Sequence, residues 1–461
     1  MGATYGQAII ADQVMRTGDT LVVTGMKIAM DQDGAKINGG IDEVRFRDLG
    51  NGTVEVTMAD AYAIDLLMPE SGKTQEISLK LTQPGVRLIA GGSATRTEYT
   101  YSAPSVVIDM QIREDGAILA DIDTVLSGIA GAYTLETQTA TSVLDSTLSI
   151  DTVGFTIAAG DTESGANITG ALAALKLGSN GTFLGIDAME NMAQALRDGF
   201  AAEVDLSFGQ GDYTIDVRDS GKPSKLVASN ATGHFRTEMT KGALRYGVGG
   251  TGVKMVVTGA DIPFPELRLG YEEASFDVLM PLIASDQPTD FTILTRFVDL
   301  AVSDEIWAMF DPIATLPRDP ATVIIDAKGK MRLTTDLLDE QAMAALGADI
   351  PGEIHALDLT ELTVKFAGAQ VTGTGGVTFD NTDTATFDGV PAPTGQFDLE
   401  IRGGNALIDK LVAMGAIPAD QAMVTRMMMA MFAKPGDGPD VLTSSLEFRD
   451  KGFFANGQRL K

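Results

Sequence analysis

The sequence predicts a mainly β protein: long antiparallel, meandering and strongly curved sheet, with a few short helices and a C-terminal helical hairpin. Segments such as Gly18–Met30, Gly52–Met58, Gly211–Val217 and Leu357–Phe366 alternate apolar and polar residues, the period that gives a strand one buried and one wet face. Asp33-Gly34, Asn51-Gly52, Pro84-Gly85 and Asp115-Gly116 punctuate the first meander. Gly after Asn or Asp marks a tight hairpin, because both residues tolerate positive φ. Helical spacing is confined to a handful of short stretches.

Taken in order, strands are expected near 20–30, 35–47, 53–60, 75–82, 86–90, 96–101, 105–113 and 117–126, then from about 132 to 178. A helix follows at about 186–200, where Ile186, Met189, Met192, Ala193 and Leu196 recur on one face. Sheet resumes near 202–277. Pro263, Pro265, Pro281, Pro288, Pro312, Pro317 and Pro320 crowd the middle around a short helix at Ser303–Phe310. The organisation implied is a β-rich half over 1–300, a Pro-rich connector over 301–320, and a second β half over 321–461. A short helix at about 339–346 and a meander at about 354–402 open that second half. Its helical hairpin spans 404–434, broken at Gly415, with Pro418 in the second helix's first turn.

Composition narrows function. Net charge is −29, from 34 basic and 63 acidic residues, which repels nucleic-acid phosphates and anionic membranes and excludes nucleic acid as a partner. With no cysteine, disulfides, thiolate metal sites and cysteine nucleophiles are out. No apolar run reaches the roughly 18 residues that a spanning helix needs. Met1-Gly2-Ala3-Thr4-Tyr5 looks like an initiator joined to a mature, exported sequence whose signal peptide is gone.

Catalytic motifs are thin. Gly247, Gly249 and Gly252 match GxGxxG, but the residues that follow alternate as a strand and offer no helix N-terminus for a pyrophosphate. Gly72-Lys73-Thr74 resembles the end of a P-loop without its first glycine. His234 and His355 sit in separate strand segments. Asp31-Gln32-Asp33-Gly34 and Asp380-Asn381-Thr382-Asp383 are acidic turns lacking the spacing of a calcium loop. No catalytic residue, cofactor or metal is assigned, and the expectation is a protein that is not an enzyme.

One local feature points to binding. Met423, Met427 and Met431 share a helical face, and Val424, Met428 and Phe432 share the adjacent one. Met429 lies off both. The arc is wider than one-sided packing requires, and methionine suits surfaces that accept varied apolar shapes. These six residues are the candidate apolar-ligand or lid residues. The plainer alternative is a helix packed between sheet and neighbouring helix.

Several stretches together resemble the DUF2125 family of alphaproteobacterial exported proteins. They are Trp307-Ala-Met-Phe310-Asp311-Pro312 with Leu316-Pro-Arg-Asp-Pro320, Val377-Thr-Phe379-Asp380-Asn381, Gly404-Asn405-Ala-Leu-Ile-Asp409, Met427-Met428 with Met431-Phe432, and Ala455-Asn456-Gly457-Gln458. Gly18–Gly25 and Gly52–Met58 fit the same picture. The resemblance implies a periplasmic protein and carries no functional residues. The meanders are also similar in style to AsmA-like envelope proteins, whose sheets offer apolar troughs to lipids, an analogy of architecture. The expected function is binding or carriage of a lipid or other apolar envelope molecule in a sheet groove, with a protein partner for docking. The alternative is a structural or protein-interaction module of the envelope with a filled core.

Overall fold

The structure is a computed structural model that describes residues 7–32, 35–70, 73–161, 163–185, 188, 190–347 and 350–461. The Asp33-Gly34 turn, Met1–Tyr5, and Ile186 and Met189 of the expected helix lie outside the described residues.

The chain is mainly β and antiparallel, as predicted. Its first strands are β1 (Gln7–Ile10), β2 (Gln13–Thr17), β3 (Thr20–Gln32), β4 (Ala35–Asp48), β5 (Val54–Met58), β6 (Ala61–Glu70), β7 (Lys73–Thr82) and β8 (Arg87–Gly92). Four long strands follow: β9 (Arg96–Glu114), β10 (Ala117–Thr137), β11 (Thr141–Gly160) and β12 (Gly165–Leu184). Then come α1 (Met192–Arg197), β13 (Ala201–Phe208), β14 (Gly211–Asp219), β15 (Lys222–Asn230), β16 (Thr232–Met239), β17 (Leu244–Gly259), β18 (Leu267–Met280) and β19 (Thr289–Val302). The remainder is α2 (Asp304–Ala308), β20 (Ala321–Leu333), α3 (Glu340–Leu346), β21 (Gly352–Phe366), β22 (Ala369–Asp380) and β23 (Ala392–Arg402). It closes with α4 (Gly404–Ala413), α5 (Ala419–Phe432), β24 (Lys434–Pro435), β25 (Val441–Arg449), β26 (Gly452–Ala455) and β27 (Gln458–Arg459).

Two compact units emerge, each discontinuous in sequence. One comprises 1–185, 202–233 and 255–266; the other comprises 186–201, 234–254 and 267–461. The Pro-rich connector lies inside the second unit.

In the first unit, β9 to β12 cross a common fold line. Pairing jumps from Ser127↔Ser105 to Ile129↔Ala103, passing over Gly128 and Pro104. It jumps likewise from Ser127↔Thr152 to Ile129↔Ile150, and from Thr152↔Ala173 to Ile150↔Leu175, passing over Asp151 and Ala174. Gly128 and Ala174 hold φ of 64° and 53°, and such interruptions bend a strand and sharpen its twist. Residues flanking this line, Ala103, Val106, Ile129 and Ile150, form a buried core cluster together with Val86. The sheet therefore folds toward their face. The sequence placed a break at 102–104; instead β9 runs continuously through Pro104, which sits where no ladder partner is needed.

The second unit is closed at one end by helices. Trp307, Leu316 and Ala367 are buried there, with Leu407, Leu411 and Met414 packed against them. Asp311, fully buried, accepts the backbone N–H groups of Thr315 (2.9 Å) and Leu316 (2.8 Å). This explains the Trp307–Pro320 motif as an end cap. The helix expected at 186–200 shortens to α1, which starts where Asn191 accepts from the N–H of Gln194 at 3.0 Å, an N-cap that sets its beginning.

Candidate functional site

Register places the first unit's aliphatic residues in rows across the strands. One row runs Ile64, Leu79, Met110, Ile122, Ile157, Ile168, Ile215 and Leu226, on β6, β7, β9, β10, β11, β12, β14 and β15. The neighbouring row on the same face is Tyr62, Leu81, Ile108, Thr124, Phe155, Gly170, Tyr213 and Ala228. One residue off, and so on the opposite face, the row reads Asp65, Ser78, Gln111, Asp121, Ala158, Asn167, Asp216 and Lys225. Every member of the aliphatic row is half-buried. A second packed layer would bury such residues fully, as the fold line does for Ile129 (5%) and Ile150 (7%). The inner face is thus apolar, fully packed at the fold line and only partly covered away from it.

Tyrosine joins this face. Tyr62, Tyr99, Tyr101, Tyr133 and Tyr213, the described tyrosines of the first unit, all fall on it by register. Burial raises the phenol pKa of Tyr62, Tyr101 and Tyr213. An open furrow of about 840 Å³ lies on the opposite face among Asp121, Ala158, Asn167, Asp216 and Lys225. There Lys225 pairs with Asp216 across the strands at 3.1 Å.

The second unit repeats the pattern. Phe276, Thr295, Ile325, Leu362, Gly373 and Leu399 form one cross-strand row, and Val278, Ile293, Ala327, Leu359, Gly375 and Phe397 the next. Phe276, Ile293 and Ile325 are about 40% exposed, at 40%, 42% and 40%. Charges take the other face: Arg245 pairs with Asp277, and Arg296 with Glu273 and Glu361.

The six candidate residues lie on α5, where Met423, Val424, Met427, Met428 and Met431 are exposed and Phe432 is half-buried. Within α5 only Ala422 is buried, so the helix turns its apolar strip to solvent, and Met429 is half-buried. Its end is pinned to the sheet: the Phe432 carbonyl accepts from Ser444 Oγ at 2.6 Å and Asn456 Nδ2 at 2.9 Å. The Asp440 carboxylate caps α4 through the N–H groups of Asn405 and Ala406, and Arg426 ties α5 to Asp409 on α4.

The other motifs have structural roles. Strand β17 runs through the whole GxGxxG stretch, with Gly252 at φ 61°. A Cβ on Gly249 would lie 2.5 Å from the His234 ring, so close packing explains that glycine. Lys73 pairs with Glu114 on a neighbouring strand. His355 Nε2 stands 3.5 Å from Glu353. In the Asp380–Asp383 turn, Asp380 accepts from Thr382, while Asp383 accepts from Thr386 and Lys451. Among the described residues no cluster of three potential ligands could hold a metal ion, and no helix is long and apolar enough to cross a membrane.

Fold and face together define a large antiparallel meander protein with apolar sheet faces that are only partly covered. Residues 252–457 match the family described as "Uncharacterized protein conserved in bacteria (DUF2125)", and the resemblance seen in the sequence is borne out across that stretch. No curated protein matches the chain. Among solved structures, BauA, the ferric preacinetobactin receptor from Acinetobacter baumannii, is similar at 9% identity and a TM-score of 0.22, over 86% of this chain and 66% of the receptor. The chain thus spans slightly under two thirds of that protein, and so low a score carries no argument about fold or function.

Proposed function

We propose that this protein is a non-enzymatic binding protein of the bacterial periplasm that carries a lipid or similar apolar envelope molecule on the inner face of its first unit. The observation that supports this reading is the aliphatic row from Ile64 to Leu226, half-buried throughout. Stopping short of full burial forgoes part of the roughly 1.5–3 kcal/mol that each such side chain gains when fully buried, and contiguous apolar surface left partly exposed marks ligand or partner sites. With strands about 4.8 Å apart, eight strands give a row on the order of 30 Å long, comparable to the ~30 Å hydrocarbon core of a bilayer. Lipid extraction from natively purified protein followed by mass spectrometry tests the reading. Recovery of no lipid counts against it.

A second reading, a protein-interaction module, is favoured by the solvent-facing methionines of α5. With a net charge of −29, a carrier needs a protein partner or divalent cations to approach an anionic membrane. Flotation with anionic vesicles in the absence of both would contradict that requirement.

A further inference from the structure

Beyond the fold line, the inner face holds a recess of about 400 Å³ whose lining includes Tyr99, Tyr101, Tyr133, Leu88, Leu148 and Leu177. Register builds it. Tyr99 pairs directly with Tyr133, and Tyr101 lies between Leu88 and Gly131. The Tyr99 and Tyr133 rings are 5.8 Å apart and tilted at 46°. Gly131 is closely packed, a Cβ there falling 3.0 Å from the Thr147 carbonyl oxygen and 3.5 Å from Leu148, so no larger side chain could stand in its place in the recess lining. No charged residue lines the recess, and no hydrogen bond joins the hydroxyl of Tyr99, Tyr101 or Tyr133 to another described residue. Phenols on an apolar face usually find partners when buried; here three half-buried ones line an uncharged space that leucines also line.

We propose that this recess takes the carbonyl-bearing end of the apolar ligand, with the phenol hydroxyls donating to its carbonyl oxygens while the hydrocarbon lies along the aliphatic rows. The inference rests on the lipid-binding reading above. An uncharged recess has no cation to hold a bare phosphate or carboxylate, whereas an ester or quinone carbonyl asks only for a donor and an apolar surround.

The test measures retention by the full chain of a diacyl phosphatidylcholine, its dialkyl-ether analogue, which has the same shape without ester carbonyls, and a prenylquinone. Wild type is expected to hold the ester lipid more tightly than the ether, by roughly fivefold for each hydrogen bond formed. The triple variant Tyr99→Phe, Tyr101→Phe, Tyr133→Phe should bind ester and ether alike, at the wild type's ether level. Its melting temperature should match wild type, since the lost hydroxyls have no partner among the described residues. If wild type binds ester and ether equally and ignores the quinone, the recess is not a carbonyl site, although lipid binding stands. A quinone held with the same tyrosine dependence upholds the carbonyl site and names the quinone as its source. Binding of none of the three overturns the lipid reading itself.

Discussion

Gly128 and Asp151 face each other where β10 and β11 skip a rung, and a Cβ on Gly128 would fall 2.0 Å from Asp151 Oδ2. The same arrangement recurs at Gly25, whose Cβ would fall 2.1 Å from Asp12 Oδ2. Gly128 combines φ of 64° with a carboxylate in the place of its missing side chain. Replacing it should distort the fold line that brings Ala103, Val106, Ile129 and Ile150 together. Gly128→Ala is expected to cost about 1–3 kcal/mol from left-handed strain and the displaced carboxylate. Gly154→Ala, on the same strand pair with open space at its Cβ, should cost well under that. Denaturant unfolding of both variants measures the difference.

How much of this was legible beforehand follows from what alternation records. Period two gives strand existence and which residues share a face, so the meander and the hairpin turns were readable. The row from Ile64 to Leu226 was not, because it depends on cross-strand register, and register past Gly128 and Ala174 is set by interruptions that a single strand's pattern does not show. Tyr99 opposite Tyr133 was hidden for the same reason. The α5 methionines were legible as an arc too wide for one-sided packing, and the structure exposes five of the six named residues. The helix expected from 186 to 200 overran because its apolar spacing continued beyond the Asn191 cap.

Placing charge on the inner face should remove the ligand while sparing the fold. Ile157→Asp sets a carboxylate in the middle of the aliphatic row, whereas Thr156→Asp sets one on the opposite face of the same strand. If the row holds hydrocarbon, Ile157→Asp is purified with at least tenfold less lipid, and Thr156→Asp with the wild-type amount. Equal lipid content in both variants would move the site elsewhere.

Acid should expose the Asp383 network. Hydrogen bonds from Lys451 and Thr386 lower the Asp383 pKa from 3.8 to about 2. A depressed folded-state pKa contributes stability that is present above 3.8 and is lost as pH falls from there toward about 2. NMR titration should therefore find Asp383 still ionised near pH 3. Lys451→Met should raise its midpoint toward the ordinary carboxylate value and lessen its contribution to acid resistance. An unshifted Asp383 in that variant would rule Lys451 out as the cause.

Asn456 should matter more than its place in a terminal turn suggests. Its side chain donates to the Phe432 carbonyl and accepts from the Ser445 N–H at 3.0 Å, while its backbone holds φ of 51°. Asn456→Ala loses both bonds and places alanine in a left-handed conformation, which asparagine tolerates better. A loss of about 1–3 kcal/mol is expected. Hydrogen exchange should quicken first at the C-terminal end of α5, because Ser444 alone would then hold the Phe432 carbonyl. Uniform loss of protection across the chain would instead indicate global destabilisation without local release.

Oxidation can separate an open α5 from a covered one. Met423, Met427, Met428 and Met431 are 62%, 67%, 55% and 54% exposed, whereas Met429 is half-buried. Peroxide converts exposed thioethers to sulfoxides first, so peptide mapping should find these four modified before Met429. Because the four face solvent, replacing Met423 and Met427 with glutamate should shift stability by no more than about 0.5 kcal/mol. The same double variant should weaken any partner that docks on the strip, since a partner's apolar surface would then desolvate two carboxylates. If the four methionines resist oxidation in protein from its native source but react in refolded protein, something carried through purification covers α5. Its mass would then say whether that occupant is a protein or a lipid.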